Sequence, residues 1–126
     1  MMNETDVDAR AERDLQARTK TFALRIVRLY CSLPKTTEAQ VLGKQVLRSG
    51  TSVGAHYREA MRARSVAEFV SKVEGGLQEL EETAYWLELL TESGIIPGPK
   101  LAGLQQESNE LTAMLVASAR TAKARK

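Results

Sequence analysis

Histidine and cysteine are the side chains that most often hold metals or activate nucleophiles, and this chain has one of each, His56 and Cys31. Two ligands with no suitable third nearby in sequence do not make a tetrahedral metal site. A lone histidine also cannot supply the paired Glu-x-x-His motifs of a di-iron helical bundle. Ser49, Thr51 and Ser52 cluster near His56, yet a nucleophile and its base on one helix rarely meet in productive geometry. Gly50-Thr51-Ser52-Val53-Gly54 has the outline of a phosphate-binding loop, but lacks the lysine and the preceding strand that such a loop requires. Glu74, Glu79, Glu81, Glu82, Glu88 and Glu92 read as a solvated or charge-paired face. The expectation is a protein that is not an enzyme and carries no metal or cofactor.

Positive charge is the chemistry that remains. Arg48, Arg58, Arg62 and Arg64 are concentrated around one stretch, and the C-terminal tail adds Arg120, Lys123, Arg125 and Lys126. Cations so grouped can neutralise phosphates, so Arg48, Arg58, Arg62, Arg64, Arg120 and Lys123 are candidate contacts to RNA or DNA. Tyr57 lies among them and would either stack on a base or be buried; burial is the simpler reading. The isoelectric point near 8.8 is below the strongly basic level that marks many nucleic-acid binders.

A net charge of +2 hides a division of the chain. From Gln16 to Arg64, ten Lys or Arg stand against two acids, a balance of +8. From Ser65 to Thr112, two bases stand against nine acids, a balance of −7. Either the two halves lie side by side in one subunit, or a basic face of one subunit meets an acidic face of the next. The two arrangements are compatible.

These residues need elements to position them. At 126 residues the chain reads as one domain, 1–126, with an ordered core from about residue 8 to 120, a flexible N-terminal arm and a flexible basic tail. Few aromatics (5%) and only 3 prolines favour helix over sheet. Cys31 has no partner for an internal disulfide. Neither an apolar signal core nor a membrane-length apolar run is evident, so no membrane contact and a cytoplasmic location are expected.

Apolar residues recur at helical spacing in four segments. The first runs from about Asp8 to Cys31 on Leu15, Phe22, Ile26 and Leu29, and Leu33-Pro34 ends it. The second opens on a capping box, Thr37 with Gln40. It carries two seams: Leu42, Val46, Ser49, Val53, His56 and Ala60, then Gly43, Leu47, Gly50, Gly54 and Met61. Glycines in a helix are destabilising by roughly 0.5–1 kcal/mol each relative to alanine, so three on one side predict close approach by another backbone, or a break near Arg48–Gly54. A second capping box, Ser65 with Glu68, starts the third helix on Val66, Val70, Val73, Leu77, Leu80, Ala84 and Leu87. Gly94 and the following prolines cap and turn it. The fourth repeats the rhythm on Leu101, Leu104, Ser108, Leu111, Leu115 and Ser118. Short connections make successive helices antiparallel, and the fold class is all-α, an antiparallel up-and-down four-helix bundle.

The second and third helices carry more apolar surface than one stripe requires. Phe69, Tyr85, Trp86, Leu89 and Leu90 lie beyond the main seam of the third. A wider core within one bundle would absorb them; an interface between copies would also. The candidate interface is Gly43, Leu47, Gly50, Gly54, Met61, Phe69, Tyr85, Trp86 and Leu89.

The stretch Leu47-Arg48-Ser49-Gly50-Thr51-Ser52-Val53-Gly54-Ala55-His56-Tyr57-Arg58-Glu59-Ala60 is followed by Ser65-Val66-Ala67-Glu68-Phe69 and by Glu79-Leu80-Glu81-Glu82-Thr83-Ala84-Tyr85-Trp86-Leu87. With Leu33-Pro34 ahead of it, this order resembles the bacterial 23S ribosomal RNA intervening-sequence proteins from about Phe22 to Leu115. The resemblance implies an antiparallel four-helix bundle assembled as a ring-like homopentamer, with no established biochemical activity. The pattern is also similar to the accessory variability determinant of diversity-generating retroelements, which binds nucleic acid and a reverse transcriptase; that activity is a fold-level analogy. His56 stands where family members commonly have asparagine. The reading is therefore a homo-oligomer that binds RNA or DNA through arginines. Its alternative is an adaptor that binds another protein without nucleic acid.

Overall fold

The computed structural model describes the backbone of residues 4–125 and the side chains of residues 9–125. Four helices follow one another: α1 (Glu4–Ser32), α2 (Thr37–Met61), α3 (Val66–Glu92) and α4 (Gly98–Ala124). Each connection is too short for anything but reversal of direction, so the helices form an antiparallel up-and-down bundle. α2 packs most extensively against α3; α1 and α4 meet sparsely. α1 starts at Glu4, ahead of the expected Asp8, and α4 continues to Ala124, so helix extends into both expected flexible ends.

The helix ends follow local chemistry. Thr36, not Thr37, caps α2: its backbone is extended (φ −73°, ψ 158°) and its hydroxyl accepts from the Ala39 amide. Gln40 is consequently not part of a capping box. Its Nε2 donates to the Pro34 carbonyl at 2.9 Å, and its Oε1 accepts from Tyr30 Oη at 3.2 Å, tying the turn to α1. Ser65 caps α3 as expected, accepting from the Glu68 amide at 3.0 Å. Gly94 closes α3 at φ +79°, a conformation that glycine reaches without steric cost. Ile96 then donates its amide back to the Leu90 carbonyl at 3.1 Å.

α2 runs unbroken through Gly50 and Gly54. The break considered for that stretch does not occur, because α1 occupies the space that the missing side chains leave. A Cβ on Gly50 would lie 2.7 Å from Ile26 Cγ1, and one on Gly43 would lie 2.5 Å from Leu33 Cδ1. One on Gly54 would lie 3.3 Å from Thr19 Oγ1. Thr51 and Ser52 direct their hydroxyls to the Leu47 and Arg48 carbonyls one turn earlier, at 2.7 and 2.6 Å.

Core positions on α3 shift from the strongest apolar reading. The buried line is Val70, Val73, Gly76, Leu80, Thr83, Leu87 and Leu90, with Leu77 and Ala84 half-buried beside it. Gly76 brings α3 close to α2, its virtual Cβ 3.6 Å from the Val53 carbonyl oxygen. The buried Thr83 hydroxyl lies 2.8 Å from Ser49 Oγ on α2 and donates to the Glu79 carbonyl at 2.7 Å. Around this contact Phe22, Ile26, Val46, Val53, Leu80, Leu87, Leu111 and Leu115 are at most 1% exposed. Each such side chain contributes about 1.5–3 kcal/mol by leaving water. On α4, Ala119 replaces Ser118 as the last buried position.

Two glycine substitutions separate close approach from simple helix propensity. Gly50→Ala should lower the unfolding free energy by about 1–3 kcal/mol because Ile26 has no room to withdraw. Gly75→Ala meets only the half-exposed His56 ring, 3.3 Å from its virtual Cβ, and should change stability by less than about 0.5 kcal/mol. Urea denaturation of both variants measures the difference.

Candidate nucleic-acid interface

Antiparallel order decides where the cations gather. The C-terminus of α2, the turn into α3 and the C-terminus of α4 all lie at the same end of the bundle. Arg58 occupies the last turn of α2, Arg62 is its C-cap, and Arg64 precedes the Ser65 cap. Arg120 and Lys123 come from the last turns of α4. All five side chains are exposed. Sequence positions some sixty residues apart thus converge on one end of the bundle.

Arg48 does not belong to this group. It sits mid-helix and bridges α2 to α3, with Nη1 3.1 Å from Glu79 Oε2 and Nη2 2.7 Å from Glu82 Oε1. Lys123 is partly engaged, its Nζ 3.4 Å from Glu74 Oε2 on α3. Tyr57 is also unavailable to stack on a base: it is 1% exposed. Its hydroxyl is buried without a hydrogen-bond partner among the described residues, and burial, with Glu12 nearby, pushes its pKa well above the usual phenol value.

Charge division runs across the bundle. Besides Arg48, Arg18 on α1 places Nη2 2.6 Å from Glu107 Oε1 and 2.8 Å from Glu110 Oε1 on α4. Lys72 on α3 reaches Glu59 on α2 at 3.5 Å. The cationic and anionic halves are therefore neighbours within one chain. Hydrogen bonds that Arg18 donates to Glu107 and Glu110 push its pKa further up; Glu110 is held below the ordinary carboxylate value, first by Gln106 and then by Arg18. This clasp escaped the sequence reading, because a salt bridge between residues 89 apart leaves no local pattern.

The candidate interface residues divide into two groups. Gly43, Gly50 and Gly54 face α1 of the same chain, so the close approach they permit is intramolecular. Leu47, Phe69 and Trp86 are half-buried against the chain's own core, and Leu89 is also half-buried. Met61 and Tyr85 remain outside, 38% and 52% exposed. Tyr85 meets Trp86 edge-on, ring centroids 5.1 Å apart. Leu24, Val27 and Val41, absent from the sequence-based set, are 46%, 39% and 56% exposed. Their signal was available as large apolar residues outside the buried stripes. His56 is half-buried over Gly75, its Nδ1 3.1 Å from Glu59 Oε1 without hydrogen-bond geometry.

A bundle of this topology with a basic end has a recognisable sequence family. The 23S rRNA-intervening sequence protein family matches residues 12–117. A solved structure similar to this chain is a protein of unknown function from the S23 ribosomal protein family of Bacteroides thetaiotaomicron, with a TM-score of 0.83 and 37% identity. The match covers 87% of this chain and 98% of that one. No curated protein matches. The chain belongs to the 23S rRNA-intervening sequence protein family. Neither the family description nor that relative indicates an enzymatic reaction. Among the described residues no helix is long and apolar enough to cross a membrane.

The unpartnered phenol has a measurable consequence. Tyr57→Phe removes a buried group without a partner among the described residues, so stability should hold or rise, by up to about 1–3 kcal/mol. Chemical denaturation checks it; a clear loss would mean that the hydroxyl is satisfied in solution.

Proposed function

We propose that the protein is a non-enzymatic, self-associating helical bundle that binds RNA or DNA at its basic end. The observation that carries this reading is the convergence of exposed Arg58, Arg62, Arg64 and Arg120, with Lys123, from two helix termini and a turn. The family description refers to sequence inserted in 23S rRNA, which makes RNA the first ligand to test. Phosphate contacts of this kind give affinity without base specificity.

Self-association, with a ring-like pentamer as the expected form, is supported by apolar side chains that the bundle leaves outside. Leu24 and Val27 lie on the outer face of α1, Val41 on α2 and Tyr85 on α3. A heterologous contact between α1 of one copy and α3 of the next would close into a ring if its rotation permits. The same exposed residues favour the second reading, an adaptor for another protein.

Arg58→Ala/Arg62→Ala/Arg64→Ala should weaken RNA binding and flatten its salt dependence by up to about three counterions, while Arg48→Ala should leave both nearly unchanged. Fluorescence anisotropy over a salt series decides it; salt-independent or absent binding rejects the electrostatic reading. Light scattering should give a multiple of the 13.9 kDa chain mass, reduced by Leu24→Glu/Tyr85→Glu. A monomer at micromolar concentration rejects the ring.

A further inference from the structure

The outer faces of α1 and α3 each carry an exposed strip at helical spacing. On α1 it is formed by Arg13, Lys20, Leu24, Val27 and Arg28. On α3 the exposed positions Glu74, Gln78, Glu81, Tyr85, Glu88 and Glu92 step by four and three alternately. Such spacing keeps side chains along one line, as where two helices pack nearly parallel. Each strip spans ~20–30 Å of helix.

The strips are opposite in charge and alike in plan. Arg13, Lys20 and Arg28 flank Leu24 and Val27 on α1, whereas four glutamates flank Tyr85 on α3. Arg18 and Arg48 spend their charge on acids of their own chain. Lys20, Arg28, Glu81 and Glu88 do not: none of them joins an ion pair or hydrogen bond among the described residues.

Packing through α2 sets the two strips at the same height. Thr19 lies against Gly54, while Gly76 lies beside the neighbouring Val53 carbonyl. One turn and more away, Ile26 rests on Gly50, and Thr83 meets the adjacent Ser49 at 2.8 Å. α1 and α3 run in the same direction, so Lys20 stands level with the interval from Glu74 to Glu81. By the same register Arg28 stands level with the interval from Glu81 to Glu88, and Val27 with Tyr85.

We propose that the α1 strip of one copy packs against the α3 strip of a second copy of this chain, side by side and in the same direction. This rests on the self-association reading and adds to it the pairing and its polarity. Two α1 strips, or two α3 strips, would set like charges against each other. The contact therefore joins unlike faces, which makes it heterologous. Leu24 and Val27 meet Tyr85 in the middle, and Lys20 and Arg28 each fall between two glutamates of the neighbour.

Light scattering on the full chain compares the wild type, Lys20→Glu/Arg28→Glu, Glu81→Lys/Glu88→Lys, and a chain carrying all four substitutions. Each double variant should associate at least tenfold more weakly, and the four-substitution chain should regain the wild-type mass. An equimolar mixture of the two double variants should also reassemble, and that result stands by itself if the four-substitution chain folds poorly. Wild-type association should weaken as salt rises. Assembly indifferent to salt or to either reversal, or failure of both rescues, would overturn the pairing and leave self-association standing. A monomeric wild type would overturn both. Unchanged mass with weakened RNA binding in Lys20→Glu/Arg28→Glu would overturn the pairing in favour of nucleic acid on the α1 strip.

Discussion

Two helices can approach closely only if one of them gives up side chains along the line of contact, and this happens on both flanks of α2. Toward α1 it presents Gly43, Gly50 and Gly54, against which Leu33, Ile26 and Thr19 rest. Toward α3 the concession comes from the partner, Gly76, beside the Val53 carbonyl, and from the small hydroxyl pair Ser49 and Thr83. The glycines weaken α2 as an isolated helix. Tertiary packing supplies the compensation, since Ile26 and Val53 are completely buried there.

A tightly packed α1–α2–α3 sheet of helices leaves α4 to close the bundle. It packs along α3 but meets α1 sparsely, and the clasp from Arg18 to Glu107 and Glu110 bridges that seam. Below the clasp the alanines of both helices leave a cavity with Tyr57 on its border. The same geometry therefore accounts for a close-packed centre and an open end at which Arg58, Arg62, Arg64 and Arg120 also lie.

Charge follows the same logic. Opposite halves of the chain lie against each other, so Arg48 and Arg18 neutralise acids on α3 and α4. Exposed pairs of this type add little stability each; they align neighbours more than they hold them. At the bundle's end, Arg58, Arg62, Arg64 and Arg120 remain exposed.

From the sequence alone, the four helices, their order and most of the core were legible, because apolar spacing and caps such as Ser65 and Gly94 are local signals. The buried line of α3 was less so: Leu77 and Ala84 outrank Gly76 and Thr83 in hydrophobicity, although the latter two sit at the contact. Which arginines are engaged was not legible at all. Arg48 and Arg58 are ten positions apart on one helix, yet one faces Glu79 and Glu82 and the other faces solvent. The glycines of α2 announced a close approach, but their partner was visible only once α1 was placed. Periodicity states which face of a helix is buried; only the packed structure states against what, since that depends on residues far away in the chain.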